Sequence, residues 1–587
     1  MKKLLLATVT GAAIASGAYV VTQQDKGYTP MSQLDYVPAD TIFFASQLES
    51  FPYLKYLDLL PNAFKSNYEI NTFVEEMKAH ELEMKALGQE PDQNATFFMN
   101  VMEQYAKSLE SSESFANIWG VDNELKMLIY SVGLLPVIRA ELGDVAAFNN
   151  TLKSAADKAG VSFLDSDIDG TPVTKFAIEH AGQKVFDLVL ATQGKWVTLS
   201  ADTPFNSPDD LKVALAITKP TMSLSSTGKI EHYLKEYQLD GQSISYLDNK
   251  LLVDTLTAKD PQNTSVKMLD NILALSGSTN ALDMIRNEAC QNDFSDMANK
   301  WPAIISGTES MSISANHANF KVSNIIASTD QKILTAISNM RGFVPAHTQG
   351  AEDGLFSIGL GLNAAQLSPT VNTIWAAFSS AEFSCQPLVM AQAKSKETNP
   401  AMLAMATGML GTLQGVSLSL LDIDIAEKAD QSQEVEFSKL DLLATISADD
   451  AIALFNMAKS FVPEFANLNL PEDGSPVEVN SFLPVDYQLD KPVYLALKGQ
   501  HIALFTGEDA RKHADALSTQ VVEANGIIAF GLDTEKLLPL IKKGSELAGE
   551  ELPEEIQNLF GDGYQMHIAF DVTNQGLVTD ITADIKK

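Results

Sequence analysis

This chain repeats itself, and no other feature constrains its fold as tightly. Val37-Pro38-Ala39-Asp40-Thr41 recurs as Val344-Pro345-Ala346-His347-Thr348. Residues 142–148 resemble 449–455, and Phe148 and Phe455 keep the separation of the first pair. Asp169-Gly170-Thr171-Pro172-Val173 matches Asp473-Gly474-Ser475-Pro476-Val477, and residues 193–197 match 498–502. Thr227-Gly228-Lys229-Ile230 matches Thr534-Glu535-Lys536-Leu537. Last, Met311-Ser312-Ile313-Ser314 matches Met566-His567-Ile568-Ala569 at a shorter separation. One short match arises by chance; several in one order point to a repeated structural unit. The reading is two tandem copies, residues 25–343 and 344–587, with a helical insertion in the first at about 237–305. Residues 344–354, which include Pro345, Gly350 and Gly354, read as the linker.

Hydrophobic alternation and turn residues give each copy a mostly antiparallel sheet with helices packed on one side, an α+β class. Residues 42–46 read as a strand and 48–60 as a helix. Helices are expected over 68–85 and 95–118, and strands over 126–142 with breaks at Gly133 and Pro136. Residues 144–159 have helical spacing and stop at Gly160. Residues 186–191 and 196–200 form a hairpin across Gln193-Gly194. Ser207 and Pro208 suit the cap and first position of a helix over 208–216. Residues 566–572 and 577–585 make a closing hairpin.

Charge narrows the partners. There are 75 Asp and Glu against 41 Lys and Arg, a net charge of −34. Such a surface repels phosphate backbones and anionic headgroups, which argues against nucleic acid and against membrane attachment through a basic patch. Lys2 and Lys3 precede an apolar run over residues 4–21, the pattern of an export signal occupying residues 1–24. The run is long enough to remain as a membrane anchor, with cleavage after small residues near Ala15 or Ala18 as the alternative. Either outcome places the remainder outside the cytoplasm, in a bacterial periplasm. Cys290 and Cys385 are the two cysteines. An oxidising compartment favours a disulfide between them over two free thiols, and such a bond would clamp one copy to the other.

Several stretches resemble catalytic or ligand motifs, and each has a plainer reading. Asp165-Ser166-Asp167-Ile168-Asp169-Gly170 opens like a calcium loop, but its twelfth position is Phe176 where a bidentate Glu is needed; a polar hairpin turn is expected. Gly359-Leu360-Gly361-Leu362-Asn363-Ala364 approximates a dinucleotide loop, yet the matching strand of the first copy has no glycine. Arg139 and Glu141 share a strand face, as do Asp422 and Asp424; exposed ladder charges are expected, and Ile446 and Ala448 stand at the positions matching the first pair. Thr227-Gly228-Lys229-Ile230 lacks the residues of a phosphate loop. Residues 401–413 are apolar all round with three Met, which suits a core helix or the lining of an apolar pocket. No catalytic, metal or cofactor-binding residues are expected, and the one pair singled out is Cys290 with Cys385.

Tyr36-Val37-Pro38-Ala39-Asp40-Thr41 after an N-terminal anchor, followed by Tyr130-Ser131-Val132-Gly133-Leu134-Leu135-Pro136-Val137, resembles an uncharacterised family of exported bacterial envelope proteins that carry a domain of unknown function. The resemblance brings no activity and no site residues, and the second copy departs from it with His347 in place of Asp40. The expected function is that of a non-enzymatic binding or scaffold protein of the envelope, whose partner is an envelope protein or an apolar ligand. A carrier of lipid is the alternative, and an enzyme of unrecognised class the third reading.

Overall fold

Short apolar runs between Gly, Pro, Asn and Asp turns become strands, and the chain assembles them into antiparallel ladders. In the computed structural model residues 32–586 are described, except 61–67, 88–91, 181–182, 259–262, 351–353, 398–399, 401–409, 428–434, 462–464, 483–490, 549–551 and 553–562. Residues 1–24, whose pattern suggests an export signal, and most of the Met-rich stretch therefore lie outside the described residues. Two units divide the chain: Met1–Asn324 with Phe383–Pro387, and Ile325–Glu382 with Leu388–Lys586. Both are mixed α+β.

The first unit holds β1 (Phe43–Phe51), β2 (Leu125–Val132), β3 (Leu135–Glu141), β4 (Phe163–Ile168), β5 (Thr171–His180), β6 (Gln183–Gln193), β7 (Trp196–Asp202), β8 (Ser243–Asp248) and β9 (Ala303–Ile313), which leads into β10 (His317–Ala327). Spatially the order is β4-β5-β6-β7-β3-β2-β1-β8-β9, every neighbouring pair antiparallel. Helices Gln93–Ser108, Ser112–Trp119 and Val145–Ala159 bury Phe97, Phe115, Trp119 and Leu152 against Phe176, Leu190 and Val197 of β5 to β7. Asp144 caps the third helix through the Ala146 and Ala147 N–H groups, and Gly160 ends it at φ 74°, where a side chain would be strained.

The second unit holds β11 (Phe356–Gly361), β12 (Leu413–Glu427), β13 (Val435–Ala448), β14 (Val477–Glu478), β15 (Tyr494–Lys498), β16 (His501–Thr506), β17 (Ile528–Asp533), β18 (Tyr564–Thr573) and β19 (Gly576–Lys586). Here the order is β14-β15-β16-β13-β12-β11-β17-β18-β19, again antiparallel throughout. Helix Glu508–Leu517 covers one face, burying Ala510, Ala514 and Leu517 against Leu443, Ala503 and Phe505.

Local structure departs from the sequence reading at three places. The first strand runs on through Phe51, and Pro52 delays the helix to Tyr53–Leu59. The helix expected over 95–118 is two helices, because Ser111 caps a new start by accepting from the Ser114 N–H. Residues 344–350 are not a free linker: Phe343, Val344, His347 and Thr348 are buried. The Phe343 N–H donates to Gln414 O, and Asn525 bonds both the N–H and the carbonyl of Val344. The polar Pro-Gly composition hid an apolar strap that docks on the second unit's own sheet.

Candidate functional site

Strand alternation normally turns apolar side chains inward and polar ones to solvent. In the middle of the second unit's sheet it is inverted. Ile528, Leu360, Val416 and Ile446 lie opposite one another across β17, β11, β12 and β13. Phe530, Ile358, Leu418 and Ala444 form the next row. The six Ile, Leu and Val side chains of this grid are 37–40 % exposed. The opposite face of the same strands carries Ser357, Ser417, Ser419, Thr445 and Ser447, all buried, with Gly359 and Gly531. Register in a sheet admits only two choices of face. Here it spends the buried side on small hydroxyls and leaves the aliphatic side open.

The reason lies in what docks on the buried face. The strap at 344–348 needs close approach to β11: a Cβ on Gly359 would sit 2.7 Å from Thr348 Oγ1 and 2.9 Å from Val344 Cγ1. His347 enters the space left by the small residues. Its Nε2 is 3.3 Å from Ser417 Oγ, which is 2.6 Å from Thr445 Oγ1, and its ring stands 6.0 Å from that of His513. Burial first, then His513 and His501, push the His347 pKa down to about 4. His501, fully buried, bonds Ser447 Oγ (2.9 Å) and Gln520 O (3.1 Å) and is lowered by burial. Ser417 and His347 resemble a nucleophile and its base, but His347 Nδ1 has no partner among the described residues to orient the ring, and both residues are buried. The arrangement is that of a neutral structural network.

The stretches singled out in the sequence fall elsewhere. Asp165, Asp167 and Asp169 flank the β4–β5 turn and are engaged separately, by Lys153 and Thr174, by the Gly170 N–H, and by Lys212. Among the described residues no cluster of three or more His, Cys, Asp or Glu could hold a metal ion. The glycines of 359–364 lie on an antiparallel central strand, where they admit backbone rather than phosphate; a Cβ on Gly361 would sit 2.3 Å from Gly526 O. Lys229 of the Thr-Gly-Lys stretch pairs with Asp248 at 2.5 Å and lies over the Tyr246 ring. Asp422 and Asp424 make exposed pairs with Lys439 and Lys543.

Arg139 contradicts its expected place on an exposed ladder. It is 3 % exposed, lies between the Tyr36 and Trp196 rings, and donates to Gln33 Oε1, Gln193 Oε1 and Thr198 Oγ1. Glu141 turns instead to Lys126 at 3.2 Å. A guanidinium's planar fork and weak hydration let neutral oxygens and aromatic faces hold it. Burial lowers its pKa.

Cys290 and Cys385 form a disulfide. Asn287 caps the helix Glu288–Lys300 by accepting from the Cys290 N–H, and Asp293 of that helix accepts from the N–H groups of Ser384 and Cys385. The exposed aliphatic grid escaped sequence reading because an alternating strand does not say which of its faces is buried. Its signal was present in Phe356-Ser357-Ile358-Gly359-Leu360-Gly361, where large and very small residues alternate. Among the described residues no helix is long and apolar enough to cross a membrane. Compared with protein-family models, curated proteins and solved structures, the chain matches none.

Proposed function

We propose that the chain is a non-enzymatic binding protein of the bacterial envelope and that its ligand is apolar. The inverted alternation on β17, β11, β12 and β13 carries this reading. Six large aliphatic side chains in two adjoining rows leave apolar area in water, and each Å² covered by an apolar partner is favourable by about 25 cal/mol. Contiguous apolar patches on a soluble surface mark binding sites. A lipid acyl chain suits a face without hydrogen-bonding groups; an envelope protein is the other occupant. The periplasmic setting rests on the export pattern of residues 1–24 and on the resemblance carried by residues 36–41 and 130–137.

We also read the two units as tandem copies of one domain. The order β5-β6-β7-β3-β2-β1-β8-β9 of the first unit parallels β14-β15-β16-β13-β12-β11-β17-β18 of the second. Val173 pairs with Ala191 beside the first Asp-Gly turn and Val477 with Leu495 beside the second, a register that differs by one residue from the match of 193–197 with 498–502. On this reading Asn249 follows β8 as Thr534 follows β17, so residues 227–230 do not correspond to 534–537. The first copy's extra residues, expected over about 237–305, fall at two places, the helix Lys229–Glu236 before β8 and the helices Thr264–Leu275 and Glu288–Lys300 before β9. The cores have diverged: where Tyr246, Phe44 and Tyr130 form a row in the first unit, Gly531, Ser357 and Ser419 do so in the second.

The test is purification from native envelopes followed by organic extraction and native mass spectrometry. An extractable lipid that is lost in the Leu360→Ser, Val416→Ser double variant is expected. A preparation that releases no apolar molecule and takes up no added fatty acid would sink the reading.

A further inference from the structure

A separate feature of the first unit points to a second ligand of different chemistry. Helices Gln93–Ser108, Ser112–Trp119 and Val145–Ala159 give their apolar sides to the core. They border a cleft of about 350 Å³. Asn100 and Gln104, one turn apart, line it from the first helix, Asn117 from the second, and Asn150, Ser154 and Lys158 at successive turns of the third. Ala147 and Ala155 also line it, and their small side chains leave it open. Thr151 Oγ1 is already committed to Ile118 O, and Asn100 Nδ2 to Ala155 O. Gln104, Asn117, Asn150 and Ser154 hold no side-chain hydrogen bond among the described residues.

The lining is unusual for this chain. Among the described residues that line it there is no carboxylate, although Asp and Glu outnumber Lys and Arg by 75 to 41 in the sequence. A cation would find no countercharge there. A multiply charged anion would find one, Lys158. An apolar molecule would cover the carboxamides and leave them unpaired, at a cost of roughly 1–3 kcal/mol for each buried group. What remains is a neutral molecule rich in hydroxyls. Each carboxamide presents donors and an acceptor in one plane, and each ligand hydroxyl is both donor and acceptor, so the pairs satisfy one another. Neutral partners also shed water at far lower cost than ions do. The volume lies in the range of small-molecule sites.

We propose that this cleft binds a neutral saccharide of one or two sugar residues, gripped by Asn100, Gln104, Asn117 and Asn150. This does not depend on the apolar face of the second unit, and either can fail without the other.

Saturation-transfer NMR on the full chain tests it, with glucose, N-acetylglucosamine and inorganic phosphate as probes at millimolar concentration. At least one sugar is expected to bind, and the Asn117→Ala, Asn150→Ala double variant, altered at exposed positions, is expected to weaken it by roughly tenfold through loss of two neutral hydrogen bonds. A bulkier side chain in Ser154→Tyr should fill the cleft and abolish binding while the circular-dichroism melt stays unchanged. Absence of sugar binding overturns the proposal, as does sugar binding that all these variants leave intact. Phosphate binding alone, lost in Lys158→Ala and screened by salt, overturns it equally.

Discussion

At the scale of single residues, two buried basic side chains behave differently because the imidazole of His347 gives up its proton on burial and the guanidinium of Arg139 does not. His347 titrates at about 4 in the fold and near 6.5 in an unfolded chain. Between those values the unfolded chain takes up a proton that the fold refuses, so stability is full above about pH 6.5, falls as the pH drops, and levels off below about 4. The groups bearing on it are His513 and His501, with Ser417 on Nε2. His567, which hydrogen-bonds the Thr348 backbone, is lowered by burial in the same way. Thermal melts against pH should show a steeper acid loss for the wild type than for His347→Gln, by up to about 3 kcal/mol; parallel curves would remove His347 from the acid response. Arg139 stays charged, and its removal orphans Gln33, Gln193 and Thr198. Arg139→Ala is expected to cost roughly 3 kcal/mol in urea unfolding, and Arg139→Lys to recover little, since an ammonium lacks the fork that reaches three oxygens. Neither environment was legible in the sequence, where Arg139 and His347 differ from surface residues only in neighbours that are distant along the chain.

At the scale of elements, the strands of the second unit divide their two faces between two tasks. The small residues of the buried face let the strap at 344–348 dock, and the aliphatic residues of the other face are free of that task. Gly359→Ala should therefore be costly, by about 1–3 kcal/mol, because the added methyl meets Val344 and Thr348; differential scanning calorimetry reads the loss. Leu360→Ser with Val416→Ser should change stability by less than about 0.5 kcal/mol per site, as surface positions do, yet cut binding of an apolar fluorescent dye. A large stability loss in that double variant would show that the grid is core. Elements were legible where local chemistry sets them. The Ser207 cap, with Pro208 at the first position, is present as the sequence implies, with Asp210 completing a capping box, and the hairpin across Gln193-Gly194 turns at Gly194 with φ 63°. The strand at 43–51 was underestimated, because nothing in Leu48-Glu49-Ser50 opposes a helix until Pro52 and the pairing with β2 are taken into account.

At the scale of the whole molecule, the disulfide joins Cys290 to a short segment, Phe383–Pro387, that groups with the first unit while the chain on either side of it groups with the second. The bond spans a sequence separation of 95. Loops of that length lose conformational freedom in the unfolded state worth several kcal/mol. Cys385→Ser is expected to lower stability by about 2–5 kcal/mol in denaturant unfolding, and reductant to lower the wild type by a similar amount. A wild type indifferent to reductant would mean the thiols are not joined in solution.

The sequence by itself determined the α+β class, the hairpins, the helix caps and the candidate cysteine pair, because these depend on neighbours a few residues apart or on the count of a rare residue type. Only the tertiary structure decided which sheet face is buried, that residues 344–348 dock rather than link, that Arg139 lies inside, and that carboxamides from three helices line one cleft. Each of those depends on which distant surface arrives to cover a side chain, and alternation along one strand is the same whichever face is covered.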